Sequence, residues 1–269
     1  MLSLWHAALL GLVEGLTEFV PVSSTGHLML VDHLLGHSGA GTGAFEIVIQ
    51  LGALVACVLY YRRLLADMLA GLVRGEAAAR RLALAIGCAF APTAVVGFLL
   101  HRRIEAALFG RPRAVAGALI TGGLVMIAVE LWRRRRGVGL EELSQVTPAH
   151  GFLIGLAQCA SLWPGTSRSM ASIVGGQLTG LSTRVAADFA FLIGIPTLGA
   201  ACLFKLVQAR GTLLAEVGVA PMAVGLLVSF VIGWIVIAAF LRYLRKTGLL
   251  PFGLYRVAVG ALVLLALAG

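Results

Sequence analysis

Apolar residues run along this chain in long uninterrupted blocks, and polar residues collect in short clusters between or inside them. Six blocks, Ala44–Tyr61, Leu82–Leu100, Ala114–Trp132, Val185–Val207, Val219–Leu241 and Pro251–Ala268, are each 18 to 23 residues long. At ~1.5 Å rise per residue, such lengths match the ~30 Å hydrocarbon core of a bilayer, so each is predicted to be a membrane-spanning helix. Two further regions, Leu4–Leu35 and Ala149–Gly180, are apolar but broken midway. Pro21 and the run Ser23-Ser24-Thr25-Gly26 break the first, and Pro164-Gly165-Thr166-Ser167-Arg168-Ser169 breaks the second. Two short helices around a polar turn predict a re-entrant hairpin, which membranes tolerate only where protein or a cavity surrounds the turn.

The order hairpin plus three spans then occurs twice in a single integral membrane domain, residues 1–269, with repeat one about 1–132 and repeat two about 147–269. Gly11-Leu12-Val13-Glu14 resembles Gly155-Leu156-Ala157-Gln158, and each is followed by a proline and hydroxyl residues; an acid follows each hairpin in Phe45-Glu46 and Ala187-Asp188. A hairpin returns to its starting side and three spans do not, so the second repeat is expected to be inverted, with the two polar turns meeting near the membrane centre. The plain alternative is two full-length kinked spans and no repeat. The expected class is thus an all-α polytopic membrane protein of six spans and two re-entrant hairpins.

Composition fixes the solvent. With 59% hydrophobic residues, 12% charged and a mean hydropathy of +0.98, no soluble domain of this size is expected. The net charge of +9 points to topology rather than to nucleic acid, because no basic face carries interleaved aromatics. On the hairpin scheme, loops 62–81, 133–147, 181–184 and 242–250 share 13 Lys and Arg, against 5 in loops 36–43, 101–113 and 208–218. The first set is therefore expected in the cytoplasm, with Arg133-Arg134-Arg135-Arg136 as an anchor. Both termini and the mouth of the first hairpin then face outward. No cleaved signal peptide is expected, since the first apolar run has no basic flank and contains Glu14 and Glu18. Cys57, Cys88, Cys159 and Cys202 stand singly in apolar runs and read as small buried hydrophobes.

The polar clusters carry the chemistry. Charges near a bilayer centre cost on the order of 3 kcal/mol each on insertion scales, so they mark function by default. Glu14 and Glu18 are four apart and share one helical face. A divalent cation or Arg168 is their natural partner, and two carboxylates plus phosphate oxygens suit Mg²⁺. Ser23, Ser24, Thr25 and Gly26 open a helix N-terminus, where N–H groups and the helix dipole favour an anion; capping of that helix by Ser24 or Thr25 explains only one hydroxyl. His27 lies one turn beyond Ser24, within reach of a hydroxyl or a phosphoryl oxygen. His6, His33, His37, His101 and His150 read as structural. Arg168 alone among the arginines is expected deep in an intramembrane segment, flanked by Ser167 and Ser169. It suits bidentate phosphate binding or an ion pair with Glu14 or Glu18.

The run Glu14-Gly-Leu-Thr-Glu18-Phe-Val-Pro21-Val-Ser23-Ser24-Thr25-Gly26-His27, with Phe45-Glu46-Ile-Val-Ile-Gln50-Leu-Gly52 and Pro164-Gly-Thr-Ser167-Arg168-Ser169, resembles the bacitracin-resistance family of undecaprenyl pyrophosphate phosphatases across essentially the whole chain. That resemblance implies removal of the terminal phosphate of undecaprenyl pyrophosphate at the outer face of the bacterial plasma membrane, regenerating the carrier for cell-wall polymers. It also implies dependence on a divalent cation, Mg²⁺ or Ca²⁺, and a fold of two inverted units. Carried over position by position, Glu14 and Glu18 match the acidic pair and metal ligands, Ser24 the nucleophile, His27 the essential histidine and Arg168 the phosphate-binding arginine. Ser23, Thr25, Gly26, Ser167 and Ser169 line the phosphate. Met170 departs from a usual glycine, Ser172 from a threonine and Asp188 from a glutamate. Type-2 phosphatidic-acid phosphatases share serine-glycine-histidine and serine-arginine elements, but Arg111-Pro112 lacks the upstream lysine and no histidine follows Arg168.

The expected reaction is attack by Ser24 on the terminal phosphorus, with His27 or Glu18 taking its proton; attack by His27 or by an activated water uses the same residues. A lipid-phosphate transporter or flippase is the alternative, since inverted repeats with broken helices also build carriers. The partners expected are the polyprenyl pyrophosphate and membrane lipids, with a homodimer left open and no nucleic acid.

Overall fold

A computed structural model describes residues 2–35, 40–108, 111–137, 139–212 and 217–267. His37 lies outside the described residues, as do the side chains of His33 and His101. The described chain is helical: α1 (Leu4–Thr17), α2 (Ser24–Leu34), α3 (Ala40–Tyr60), α4 (Arg62–Val73), α5 (Ala77–Leu108), α6 (Pro112–Arg134), α7 (Pro148–Gln158), α8 (Arg168–Leu178), α9 (Thr183–Thr212), α10 (Val219–Leu244) and α11 (Leu250–Ala266). Five of these, α3, α5, α6, α9 and α10, are long and apolar enough to cross a membrane. The predicted sixth span is α11, 17 residues long, at the short end of the ~17–25 residues that suffice. This is an all-α polytopic membrane protein.

Both broken regions are broken where the polar runs stand. Their helices have 14, 11, 11 and 11 residues, so each is only about 16–21 Å long and none crosses alone. Local signals explain their ends. Ser3 caps α1 and meets His6, while Thr147 caps α7 in a reciprocal capping box with His150, followed by Pro148 in the first turn. These two histidines are structural, as expected.

One expectation changes. Segment 62–81, read as loop, contains α4 and the start of α5. Leu64 and Leu65 pack on the core while Arg62, Arg63 and Asp67 are exposed, so a charge count hid an amphipathic helix. Its continuation Ala77-Ala78-Ala79-Arg80-Arg81 consists of strong helix formers and extends α5 ahead of its apolar limit.

Close approach of small residues sets the helix pairs, as membranes require where apolar side chains gain little by leaving lipid. On α1, Gly11 and Gly15 face Gly225, Ser229 and Gly233 of α10; on α7, Gly151 and Gly155 face Ala85 and Ala89 of α5. Gly123 and Gly253 join α6 to α11, and Gly52 seats α3 on α10. Between these pairs Phe19, Phe191, Phe240 and Phe252 form a chain of aromatic contacts, with Phe19 and Phe191 edge to face at 5.2 Å.

A Cβ on Gly155 would stand 2.9 Å from Cα of Ala89 and nearer still to its carbonyl oxygen, whereas one on Gly87 meets nothing within 4 Å. Gly155→Leu is expected to destabilise the bundle by about 1–3 kcal/mol or more. Gly87→Leu should stay within about 0.5 kcal/mol. Thermal midpoints of the two variants in detergent, beside the parent, check this.

Candidate active site

The two breaks share one design. Ser23 and Ser167 are the described non-glycine residues with positive φ, +78° and +73°, a conformation that costs a non-glycine residue on the order of 1–3 kcal/mol. Each hydroxyl then caps the helix that follows: Ser23 Oγ accepts from the Gly26 N–H at 3.2 Å and Ser167 Oγ from the Met170 N–H at 3.3 Å. The cap of α2 is thus Ser23, where the sequence had offered Ser24 or Thr25. As a consequence Ser24 and Arg168 occupy the same place, the first residue of α2 and of α8.

These residues meet. Arg168 Nη2 donates to Glu18 Oε1 at 3.2 Å, and Ser24 Oγ donates to Glu18 Oε2 at 2.5 Å. Ser169 Oγ donates to the Val20 carbonyl across the gap at 3.2 Å and lies 3.0 Å from Ser167 Oγ. Glu18, Ser24 and Ser169 are buried and Arg168 nearly so. Arg168 Nη1 is tied to the Ala190 carbonyl of α9 at 3.1 Å, while its Nε has no partner. Gly194, one turn on from Ala190, makes room for the guanidinium: a Cβ there would lie 2.9 Å from Arg168 Cζ. Arg168 therefore has one N–H held by an acid and one by a backbone carbonyl, with the Nε–H among those left over.

Glu14 is fully buried and neither of its carboxylate oxygens meets a hydrogen-bond donor. A buried carboxylate without donors or a cation is costly. Of the predicted metal pair, Glu14 is thus open to a ligand, whereas both oxygens of Glu18 are engaged. Among the described residues no three His, Cys, Asp or Glu side chains come together in a metal-binding arrangement. The residues fit a hard cation that takes one or two carboxylates and completes its shell with phosphate oxygens and water.

His27 stands apart from Ser24. Its Nδ1 lies 2.8 Å from the Ser23 carbonyl and its Nε2 2.7 Å from the Tyr255 hydroxyl. Thr25 and Gly26 sit in the first turn of α2, Thr25 half-buried and Gly26 buried beside Ser23.

Arg168 is not the only arginine at depth. Arg256 of α11 is fully buried and donates to the carbonyls of Pro21 at 3.2 Å, Ala118 at 3.1 Å and Gly165 at 2.9 Å. It joins the first break, α6 and the second break through one guanidinium. Its signal was in plain view, a charge inside the predicted span Pro251–Ala268, but no neighbouring polar residue marked it. Tyr255 was missed because a lone tyrosine in a span reads as packing.

A profile of the family described as bacitracin resistance protein BacA matches residues 7–262. The undecaprenyl-diphosphatase of Sorangium cellulosum is 56% identical over 262 residues, covering 97% of this chain and 85% of that protein. Undecaprenyl-diphosphatase 1 of Chromobacterium violaceum is 44% identical, with coverage of 97% and 95%. The undecaprenyl-diphosphatase of a Thermoanaerobacter species is 43% identical, with coverage of 97% and 96%. A match that takes in both breaks and every helix between them means that the chain belongs to the bacitracin resistance protein BacA family.

Proposed function

We propose that this protein hydrolyses undecaprenyl diphosphate to undecaprenyl phosphate and inorganic phosphate, and so returns the lipid carrier to cell-wall synthesis and confers bacitracin resistance. The observation that carries the reading is the chain Arg168–Glu18–Ser24 at the meeting of the two breaks. It puts a hydroxyl and a phosphate-binding cation each within hydrogen-bonding distance of one carboxylate, which can accept the hydroxyl's proton.

In the first step Ser24 Oγ attacks the terminal phosphorus and passes its proton to Glu18 Oε2; the bond to the bridging oxygen breaks and undecaprenyl phosphate leaves. Glu18 gives that proton to the departing undecaprenyl phosphate, then takes one from the water that attacks the phosphoserine and returns it to Ser24 Oγ as the bond from phosphorus to the serine oxygen breaks and phosphate departs. Arg168 supplies the N–H groups that Glu18 and Ala190 leave over, and the first residues of α2 and α8, Ser24 and Arg168, both bond Glu18, which sets the two helix N-termini beside it. A divalent cation, when bound at Glu14 with Glu18 beside it, neutralises phosphate charge that two carboxylates would otherwise repel.

The same reading places the protein in the bacterial plasma membrane with the site opening outward. The excess of Lys and Arg in the four loops 62–81, 133–147, 181–184 and 242–250 supports that orientation. The helix pairs support the reading of two like halves: α1 packs on α10 as α7 packs on α5, and α6 packs on α11. That is the exchange of partners expected when two like halves face each other.

Phosphate release from undecaprenyl diphosphate by the detergent-purified protein tests the proposal. Ser24→Ala should lower kcat/KM by at least about 1,000-fold. Arg168→Ala should cost at least about 100-fold. Quenched single turnovers should leave phosphate on Ser24, and phosphate on His27, or none at all, would remove the serine step.

Glu14→Gln separates the metal from the nucleophile. Release should stop in a chelator, and Glu14→Gln should need roughly 10–100 times more Mg²⁺ or Ca²⁺ for half-maximal rate, a shift of the size seen when metal sites lose support. An unchanged metal requirement would take Glu14 out of the site.

Gly194→Val tests the seat of Arg168 from outside the motif. It should keep the fold while lowering kcat/KM by about 100-fold, close to the loss of one phosphate donor. Full activity would mean that the guanidinium need not stay where Gly194 allows it.

A further inference from the structure

Glu18 accounts for the proton of Ser24, which leaves His27 bound to two groups on its other sides. We propose that Tyr255 is a positioning residue for His27, whose hydroxyl donates to Nε2 and holds the ring in one orientation. The inference rests on the hydrolase reading for its kinetic part and on geometry alone for its hydrogen-bond part.

The tautomer follows from chemistry. The Ser23 carbonyl can only accept a hydrogen bond, so Nδ1, 2.8 Å away, carries the hydrogen. In the neutral ring Nε2 is then the acceptor, and the Tyr255 hydroxyl 2.7 Å away is its donor. The two rings lie nearly parallel, 7° apart with centroids at 5.7 Å, so the phenol also fixes the plane of the imidazole. Nε2 is thereby presented as the basic nitrogen, on the side facing α11.

The framework around the pair is fixed where it matters. Arg256, the next residue, ties α11 to Pro21 and Gly165 in the two breaks. Tyr255 inherits that placement and reaches α2 from it. Along their lengths α2 and α11 are not a packed pair, so His27 and Tyr255 bridge a seam between them. Tyr255 is 45% exposed. A group whose role was to fill space would be covered, whereas this ring stands at an open edge with its hydroxyl on the histidine. The groups facing His27 there are Tyr255 and, through space, the charge of Arg256.

Tyr255→Phe removes the hydroxyl and keeps the ring that stacks on His27. The test uses the full-length protein labelled with ¹⁵N-histidine, with the His27 signals assigned by their loss in His27→Asn. The parent should show the Nδ1–H tautomer at His27, which the Ser23 carbonyl fixes and Tyr255→Phe should keep, while the ¹⁵N shift of Nε2 moves toward that of an acceptor without a donor. In phosphate release, Tyr255→Phe should lower kcat by about 10–100-fold, the cost of a misplaced group, with KM within about threefold. An unchanged Nε2 shift overturns the proposal, as does an unchanged kcat. A raised KM at full kcat also overturns it, by placing Tyr255 on the substrate. If the parent itself releases no phosphate, the hydrolase reading falls, while the Nε2 shift still decides whether Tyr255 holds His27.

Discussion

Three main-chain carbonyls from three separate segments, those of Pro21, Ala118 and Gly165, converge on the guanidinium of Arg256. The rest of the site depends on that convergence. A helix interrupted at membrane depth exposes carbonyls that neither lipid nor its own hydrogen-bond ladder can satisfy, and each one left bare costs several kcal/mol. Arginine is suited to the task because it offers several N–H groups in a planar fork and stays charged when buried. Two breaks satisfied by one side chain are held at a fixed distance from one another, and only then can Arg168 of one reach Glu18 of the other. Gly122 reflects the same requirement, since a Cβ there would lie 3.1 Å from Arg256 Cζ.

Buried charge is then distributed with a purpose. Arg256 is neutralised mainly by dipoles, having only carbonyls as described partners. Arg168 is paired with Glu18, which also holds Ser24. Glu14 is paired with nothing that donates to it. An arrangement built only for stability would have closed this last account with a second arginine or replaced the acid with leucine, because unpartnered buried charge is destabilising. Strain at Ser23 and Ser167 points the same way. Glycine would relieve the positive φ at either position, but it has no hydroxyl to cap α2 or α8.

Much of this was legible in the sequence, and the reasons for what was not are physical. The spans could be read because a bilayer imposes length and apolarity on them, and the breaks because proline, glycine and hydroxyls cannot be hidden in a run of leucine and valine. Glu14, Glu18, Ser24 and Arg168 were legible because charges and hydroxyls clustered there. What the sequence does not carry is direction. His27 is one turn from Ser24 along the chain, yet its ring turns to a tyrosine 228 residues away, and no periodicity predicts that. Arg256 lacked polar neighbours in sequence because its partners are backbone carbonyls, which are the same for every residue type. The helix α4 was hidden for a similar reason, its arginines counting as loop charge while its leucines turned to the core.

The two halves also explain why there is one site. Gln158 follows Gly155 as Glu14 follows Gly11, but the glutamine is saturated: its amide donates to Thr93 at 3.0 Å and its carbonyl oxygen accepts from Ser172 at 2.9 Å. An amide has both donors and acceptors and can be satisfied by hydroxyls on neighbouring helices, so it closes a space. A carboxylate in the same situation has only acceptors and stays open until a cation or proton arrives. The half with the acid carries Glu14, Glu18 and Ser24, and the half with the amide carries Arg168. A second site at Gln158 would need a charge the structure has replaced there with a closed hydrogen-bond network, and the serine that would attack is replaced at the matching helix start by Arg168 itself. The division of labour follows from differences at matching positions, Gln158 and Leu162 standing where the first half has Glu14 and Glu18, and Arg168 where it has Ser24.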